Sequence, residues 1–218
     1  MITTDLFAAA LAPARQDETL CEGAMVLRGF ALASEAALLQ ALDAIVAQAP
    51  FRHPVTPGGF RMSVAMTNTG SLGWVSDRRG YRYDPIDPDS GEPWPPMPRV
   101  FLHLATTAAS HAGFAGFVPD ACLVNRYEPG ARLSLHQDRD ERDLGQPIVS
   151  VSLGIPSVFL FGGLQRTDRV QRVPLAHGDV VVWGGPARLR HHGVLPLKPN
   201  HHALVGDVRI NLTFRHAG

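Results

Sequence analysis

From residue 118 to the C-terminus the chain is cut into short alternating segments, and few folds accept that texture. The candidate strands are Ala121–Tyr127, Arg132–His136, Ile148–Leu153, Ser157–Phe161, Arg169–Pro174, Asp179–Trp183, Arg190–Leu197 and Val208–Arg215, with turn residues between them. Roughly eight short strands at this spacing fit a jelly roll of two packed sheets, that is, a double-stranded β-helix core. In the last segment Arg209, Asn211, Thr213 and Arg215 share one face, and Ile210, Leu212 and Phe214 share the other. Such a polar face is expensive inside a fold unless it lines a pocket. Asn125 and Tyr127 also share a face, as do His136 and Asp138, so three strands aim complementary groups into one cavity.

The residues before 118 read differently. Residues 24–30 look like a short strand. Ser34 is placed to cap a helix running to about Gln48, with Leu38, Leu39, Leu42, Ile45 and Val46 on one face and Pro50 ending it. Residues 51–96 are rich in Gly, Pro, aromatics and arginine, and read as short strands and long loops such as a lid. A second helix is expected over about 98–112, with Val100, Phe101, Leu104 and Ala108 inward and Gly113 stopping it. Both helices would cover one outer face of the jelly roll. The expected class is therefore α+β, mainly β. With 218 residues and 45% hydrophobic content, one domain is expected: 1–117 as helices and lid, 118–218 as the core.

Composition removes several classes. Formal net charge is zero and the pI is about 7.2, so no global basic field marks a sequence-blind nucleic-acid coat. A local phosphate-binding strip remains open. Lys198 is the sole lysine against 19 arginines. Arginine suits bidentate phosphate and carboxylate contacts, although a GC-rich genome gives the same bias. Cys21 and Cys122 form no CxxC, so neither a zinc ribbon nor a disulfide framework is indicated. The apolar stretch Leu6–Leu11 lacks a basic segment before it and follows Asp5, so no signal peptide is read. No run of about 18 apolar residues exists to span a membrane. A cytoplasmic, monomeric protein is expected.

The chemistry concentrates in His136-Gln137-Asp138, a distal histidine, and Arg209-Ile-Asn211-Leu-Thr-Phe-Arg215. Residues i and i+2 of a strand lie about 7 Å apart on one side, so His136 and Asp138 can reach one ion. The third ligand is His191 or His192. Alternation turns one of them inward, and spacing does not say which. Two histidines and one carboxylate form a facial triad that suits non-heme Fe(II) with open positions, better than a four-ligand zinc site. Two arginines and an asparagine downstream are what a dicarboxylate co-substrate needs. The pattern suggests an Fe(II)- and 2-oxoglutarate-dependent oxygenase using O2.

Longer stretches carry a resemblance. Val55-Thr-Pro-Gly-Gly-Phe60, Met62-Ser-Val-Ala-Met66-Thr-Asn, Leu72-Gly-Trp74, Arg79-Gly-Tyr81, Pro85-Ile-Asp-Pro88, Pro119-Asp-Ala-Cys122-Leu-Val-Asn125-Arg-Tyr127, Leu133-Ser-Leu-His136-Gln-Asp138-Arg-Asp140-Glu141, Phe161-Gly-Gly-Leu-Gln-Arg166, His177-Gly-Asp-Val-Val-Val-Trp183-Gly-Gly and Asn211-Leu-Thr-Phe-Arg215 are the relevant runs. Over nearly its whole length the chain resembles the AlkB family of bacterial oxidative nucleic-acid dealkylases. The resemblance implies His136, Asp138 and His192 as iron ligands, His192 being the one directly before Gly193. It implies Asn125, Tyr127, Arg209, Asn211 and Arg215 around 2-oxoglutarate, with Arg209 on the far carboxylate and Arg215 near the chelating one. Trp74 and Tyr81 resemble lid aromatics, and Asp140, Arg166 and Met66 further substrate contacts. Phe60 stands in place of a family tyrosine, and His191 in place of another aromatic; both bear on substrate preference.

The implied reaction is demethylation of bases such as 1-methyladenine and 3-methylcytosine in DNA, and by extension RNA. 2-Oxoglutarate would be converted to succinate and the methyl group released as formaldehyde, a direct-reversal repair. Such bases are cationic near neutral pH, so Trp74 can stack on one with a cation–π contribution of about 0.5–2 kcal/mol. His136 would form the other side of the sandwich, and Asp140 would favour positive charge. The methyl group is out of reach inside a duplex, so the substrate is single-stranded or has its base flipped out. Arg78, Arg79, Arg82 and Arg166 are candidates for a phosphate strip. Two competing readings are an oxygenase of a small molecule or protein side chain, and a catalytically silent jelly roll. The aromatic, arginine-rich lid argues against the first, and the dicarboxylate clamp against the second.

Overall fold

The computed structural model describes residues 16–218; the stretch Leu6–Leu11 lies outside them. The order of elements is β1 (Glu18–Cys21), β2 (Ala24–Leu27), α1 (Glu35–Gln48), β3 (Ala65–Gly70), β4 (Gly73–Asp77), β5 (Gly80–Asp84), α2 (Arg99–His111), β6 (Ala121–Tyr127), β7 (Leu133–His136), β8 (Ile148–Gly154), β9 (Ser157–Phe161), β10 (Gln171–Leu175), β11 (Val180–Trp183), β12 (His192–Val194) and β13 (Arg209–Arg215). All strand pairs are antiparallel. A seven-stranded sheet, β1-β2-β11-β8-β13-β6-β3, faces a four-stranded sheet, β10-β9-β12-β7, and β4–β5 form a separate hairpin. This is the expected mainly-β jelly roll with helices on one face.

The large sheet is two-sided because its strands alternate. Cys122 and Val124 of β6, Val149, Val151 and Leu153 of β8, Val180 and Val182 of β11, and Ile210, Leu212 and Phe214 of β13 point one way. They meet Leu38, Leu42 and Ile45 of α1 and Phe101, Leu104, Ala105, Ala108 and Ala109 of α2. Fully burying a side chain of this size contributes about 1.5–3 kcal/mol, so this layer fixes the sheet against the helices. The opposite side of the same strands faces the smaller sheet. There Ile148, Val181 and Trp183 pack on Phe159, Phe161, Val173 and Leu175 of the smaller sheet, and β13 and β6 present polar groups beside that cluster.

Helix ends follow local chemistry, with one correction. α1 stops at Gln48, ahead of Pro50. Beyond α2, Gly113 takes φ +90, and its N–H and that of Phe114 bond back to Ser110 and Ala109. A left-handed residue after a helix favours glycine, as expected. Ser34, however, makes no side-chain cap bond. A 3-10 turn over Leu32–Ser34 runs directly into α1, and the Ser34 N–H is already used by Ala31 O at 3.0 Å.

The segment expected as a lid is only partly one. β3 is the buried edge strand of the large sheet, pairing β6 from Ala65↔Arg126 to Gly70↔Ala121. Its Thr67, Asn68 and Thr69 are buried with partners: Ala49 O at 2.7 Å, Trp74 and Pro95 O at 2.8 Å. β1 and β2 join the other end of that sheet, so three strands from before residue 117 complete it. Pro174 lies in β10, at the edge of the small sheet, where its missing N–H is tolerated.

Candidate active site

Between the sheets and under the β4–β5 hairpin lies a cavity of about 830 Å³. Arg209, Asn211, Thr213 and Arg215 of β13 line it, with Asn125 and Tyr127 of β6 beside them. β13 and β6 pair in register, Arg209↔Tyr127 and Asn211↔Asn125, which places the polar face of one strand against that of the other.

His136 and His192 are brought together by strand pairing. They are register partners at the adjoining ends of β7 and β12. Gly193 makes the pairing possible, because a Cβ there would stand 2.6 Å from Leu133 O. Asp138 sits two residues past the end of β7, still on the side of His136, while Gln137 turns away to donate to Leu189 O at 2.5 Å. His136 Nε2 is 3.4 Å from Asp138 Oδ1 and His192 Nε2 is 3.6 Å from Asp138 Oδ2. The three donor atoms lie within 4.8 Å of one another. Each ring's Nδ1 faces a main-chain carbonyl, Ser134 O at 2.9 Å for His136 and Arg190 O at 3.1 Å for His192. A carbonyl only accepts, so each Nδ1 carries the proton and each Nε2 lone pair is left for a metal.

The electrostatics favour a carboxylate donor. Burial works against ionised Asp138, but Arg215, His192 and His136 outweigh it and hold the carboxyl well below its ordinary value. Arg215 supplies Nη2 at 2.5 Å and Nε at 3.0 Å to Asp138 Oδ2. Burial and the neighbouring His136 lower the pKa of His192, which keeps it neutral as a ligand must be. Burial also opposes charge on His136, yet the bond to Asp138 leaves it raised. His191 differs from its neighbour: its main chain and Nδ1 meet Gly163 O at 2.9 and 3.3 Å, at the cavity rim.

The far side of the cavity is built for an anion. Arg209 is 1% exposed, and its Nη1 is buried with no partner. Its Nε donates to Ser152 Oγ at 2.9 Å, and its guanidinium lies 4.9 Å from the centre of the Tyr127 ring. Burial pulls its pKa down, and among the described residues no carboxylate opposes it. A buried cation left in that state is costly and matches a ligand carboxylate. Asn125 Oδ1 is likewise buried and unpartnered. Asn211 is held by Ser150 Oγ and Val151 O, at 2.8 and 2.9 Å, and accepts from Thr213 Oγ1 at 2.9 Å. The donor set therefore fits both groups: two neutral imidazoles and a carboxylate for Fe(II), and orphaned polar atoms on the opposite wall for a dicarboxylate.

The hairpin roofs the cavity. Asn68 of β3 clamps its base through both main-chain groups of Trp74, at 3.0 and 3.1 Å. Trp74 and Tyr81 stack at 5.5 Å with an interplanar angle of 14°, so one face of Trp74 is already covered. Trp74 Nε1 donates to Asp140 Oδ2 at 3.1 Å, and Met66, Asp140 and Arg166 line the same cavity. Arg166 donates to Leu135 O at 2.6 Å and is exposed at the rim. Arg82 is paired within the hairpin, with Asp77 at 3.0 Å and Asp84 at 3.4 Å. Arg78 and Arg79 are exposed at the turn. Phe60 is 77% exposed at the mouth.

Sequence reasoning passed over the groups behind Asp138. Glu141, to which the sequence alone assigns no role, is buried between Arg188 and Arg215 and accepts from Tyr83 Oη at 2.8 Å. Its place directly after the His-Gln-Asp-Arg-Asp run was the one available signal. Ser150 and Ser152, which hold Asn211 and Arg209, were also missed, although both alternate with the valines of β8.

Comparison with known proteins agrees with this geometry. The model of the 2OG-Fe(II) oxygenase superfamily matches residues 23–215. The alpha-ketoglutarate-dependent dioxygenase AlkB of Escherichia coli (strain K12) is 57% identical over 201 residues, 92% of this chain and 93% of that protein. The nucleic acid dioxygenase ALKBH1 of Homo sapiens is 33% identical over 129 residues, 59% of this chain and 33% of that protein. The solved structure of OsALKBH1 superimposes with a TM-score of 0.81 at 29% identity, covering 92% of this chain and 100% of that one.

Proposed function

The chain belongs to the 2OG-Fe(II) oxygenase superfamily, within it to the AlkB family, and we propose that it oxidatively dealkylates N-alkylated bases in nucleic acid. Its substrates in this reading are bases such as 1-methyladenine and 3-methylcytosine, in single-stranded DNA or flipped from a duplex, with RNA as a second carrier. The observation that carries it is the pairing of a metal-competent triad with a fully buried, carboxylate-free Arg209 under an aromatic hairpin.

His136, Asp138 and His192 would hold Fe(II), and Asn125, Tyr127, Arg209, Asn211 and Arg215 would hold 2-oxoglutarate. When bound, these groups with O2 supply the oxidising chemistry that hydroxylates an N-linked methyl, giving succinate, carbon dioxide and formaldehyde. The protein's part is position and charge. The Nδ1–H bonds of His136 and His192 fix the tautomer that leaves Nε2 free. Arg215 orients Asp138 from behind. Arg209 pairs with the distal carboxylate and thereby loses its unpartnered state. Trp74, stacked on Tyr81, offers an aromatic face to a cationic base, and Asp140 adds a negative charge beside it. Arg166, with Arg78 and Arg79 at the hairpin turn, is placed to meet backbone phosphate.

In this reading the protein acts as a monomer. No described helix is long and apolar enough to cross a membrane. A panel of methylated DNA and RNA oligonucleotides, single- and double-stranded, tests the reading through formaldehyde and succinate release. Release that depends on the methylated base and on 2-oxoglutarate is expected. Succinate release stimulated only by free small molecules or peptides would contradict it.

A further inference from the structure

We propose that Glu141 is a positioning residue for the metal-binding carboxylate, acting through two arginines at once. This rests on the reading of His136, Asp138 and His192 as iron ligands. Glu141 is 7% exposed, and its two carboxylate oxygens are divided between different cations. Oε2 meets Arg188 Nη2 at 2.9 Å, and Oε1 meets Arg215 Nε at 3.2 Å. Both arginines also hold Asp138, from opposite ends. Arg215 grips its side chain, with Nη2 2.5 Å from Oδ2. Arg188 grips its main chain, with Nη1 2.6 Å from the Asp138 carbonyl, and is itself fixed by Gln146 O at 2.9 Å.

A structural ion pair would need one cation. Here one buried carboxylate faces two, and each cation ends on the same downstream residue. Arg215 Nε divides itself almost evenly, 3.0 Å from Asp138 and 3.2 Å from Glu141. With the Glu141 charge removed, that guanidinium belongs to Asp138 alone. Its positive charge then competes with a metal for Oδ2, and the Asp138 backbone loses the carboxylate that anchors Arg188. The third partner, Tyr83 Oη at 2.8 Å, comes from β5, so the hairpin carrying Trp74 is tied to the same group. Asp140, one residue earlier, holds Trp74 itself at 3.1 Å.

The test is anaerobic titration of the full chain with Fe(II), followed by equilibrium dialysis, with near-UV circular dichroism as a check on packing. Glu141→Gln is expected to weaken Fe(II) binding about tenfold with the fold retained, the size seen when outer partners of metal ligands are lost. Glu141→Asp is expected to recover part of it. Since Glu141→Gln leaves Arg188 buried without a carboxylate, the double variant Glu141→Gln with Arg188→Met is measured beside it. It is expected to be weakened at least as much, because Arg188 no longer holds the Asp138 carbonyl. Tyr83→Phe, which leaves every charge in place, is expected to weaken binding about threefold through the lost hydrogen bond. Wild-type affinity in any folded Glu141→Gln form, or in Tyr83→Phe, overturns the corresponding link. A wild-type chain that binds no Fe(II) would instead overturn the iron reading itself.

Discussion

Replacing Arg209 with methionine separates two properties that ordinary core mutations change together. Arg209 is 1% exposed, its Nη1 has no partner, and burial lowers its pKa with no carboxylate to oppose it. Its burial is therefore a cost, eased by Ser152 at 2.9 Å and by the ring and hydroxyl of Tyr127. Methionine fills much of the same volume without a charge, so the ligand-free protein is expected to keep or gain thermal stability. Binding of 2-oxoglutarate moves the opposite way. Losing a buried, charge-assisted clamp on a carboxylate costs about 3–5 kcal/mol. At about 1.4 kcal/mol per tenfold, the 2-oxoglutarate requirement should rise by roughly 140- to 4000-fold. The assay is succinate release against 2-oxoglutarate concentration at saturating Fe(II) and oligonucleotide, with a thermal melt of the ligand-free protein alongside. An unchanged requirement would mean that the buried guanidinium does not hold the co-substrate. A large fall in melting temperature would mean that it serves the core.

Other outcomes follow from the same geometry. His136→Ala and Asp138→Ala should each abolish formaldehyde release while leaving far-UV dichroism intact; turnover in either would remove the metal assignment. Trp74→Ala should raise KM for a methylated oligonucleotide about two- to thirtyfold, the range of a cation–π contact of about 0.5–2 kcal/mol; equal KM values would place the base elsewhere. In the metal-free protein the carboxyl of Asp138 is held well below its ordinary value by Arg215, His192 and His136 despite burial. A depressed folded pKa contributes stability that is full above the unfolded value, about 3.9, and fades as pH falls toward the folded one. Asp138→Asn should therefore flatten acid unfolding below about pH 4; an acid limb identical to wild type would deny that depression.

Much of this was legible because β-strand alternation is strict. Arg209, Asn211, Thr213 and Arg215 were readable as one face of a strand, and they line the cavity, while Ile210, Leu212 and Phe214 meet the helices. The same rule left His191 and His192 undecided, since it says only that one turns inward. In the fold His192 is the register partner of His136 with its Nε2 3.6 Å from Asp138, while the Nδ1 of His191 meets Gly163 O, and strand register of that kind is not encoded in the local pattern. β3 does not stand out from the Gly-, Pro- and arginine-rich stretch around it, because Thr67, Asn68 and Thr69 carry no apolar signal; their burial is satisfied by distant carbonyls and the Trp74 main chain. Glu141 was hidden for a related reason. Arg188 and Tyr83 lie 47 and 58 positions away, so only its place after the His-Gln-Asp-Arg-Asp run separates it from a solvated charge. The ties of Arg82 to Asp77 and Asp84 within its own hairpin were not readable from the sequence either.

Anaerobic binding stoichiometry decides whether the cavity works as described. One Fe(II) per chain is expected, lost in Asp138→Ala, with one 2-oxoglutarate whose binding is lost in Arg209→Met. A protein that takes up neither, or whose binding survives both substitutions, would contradict the account.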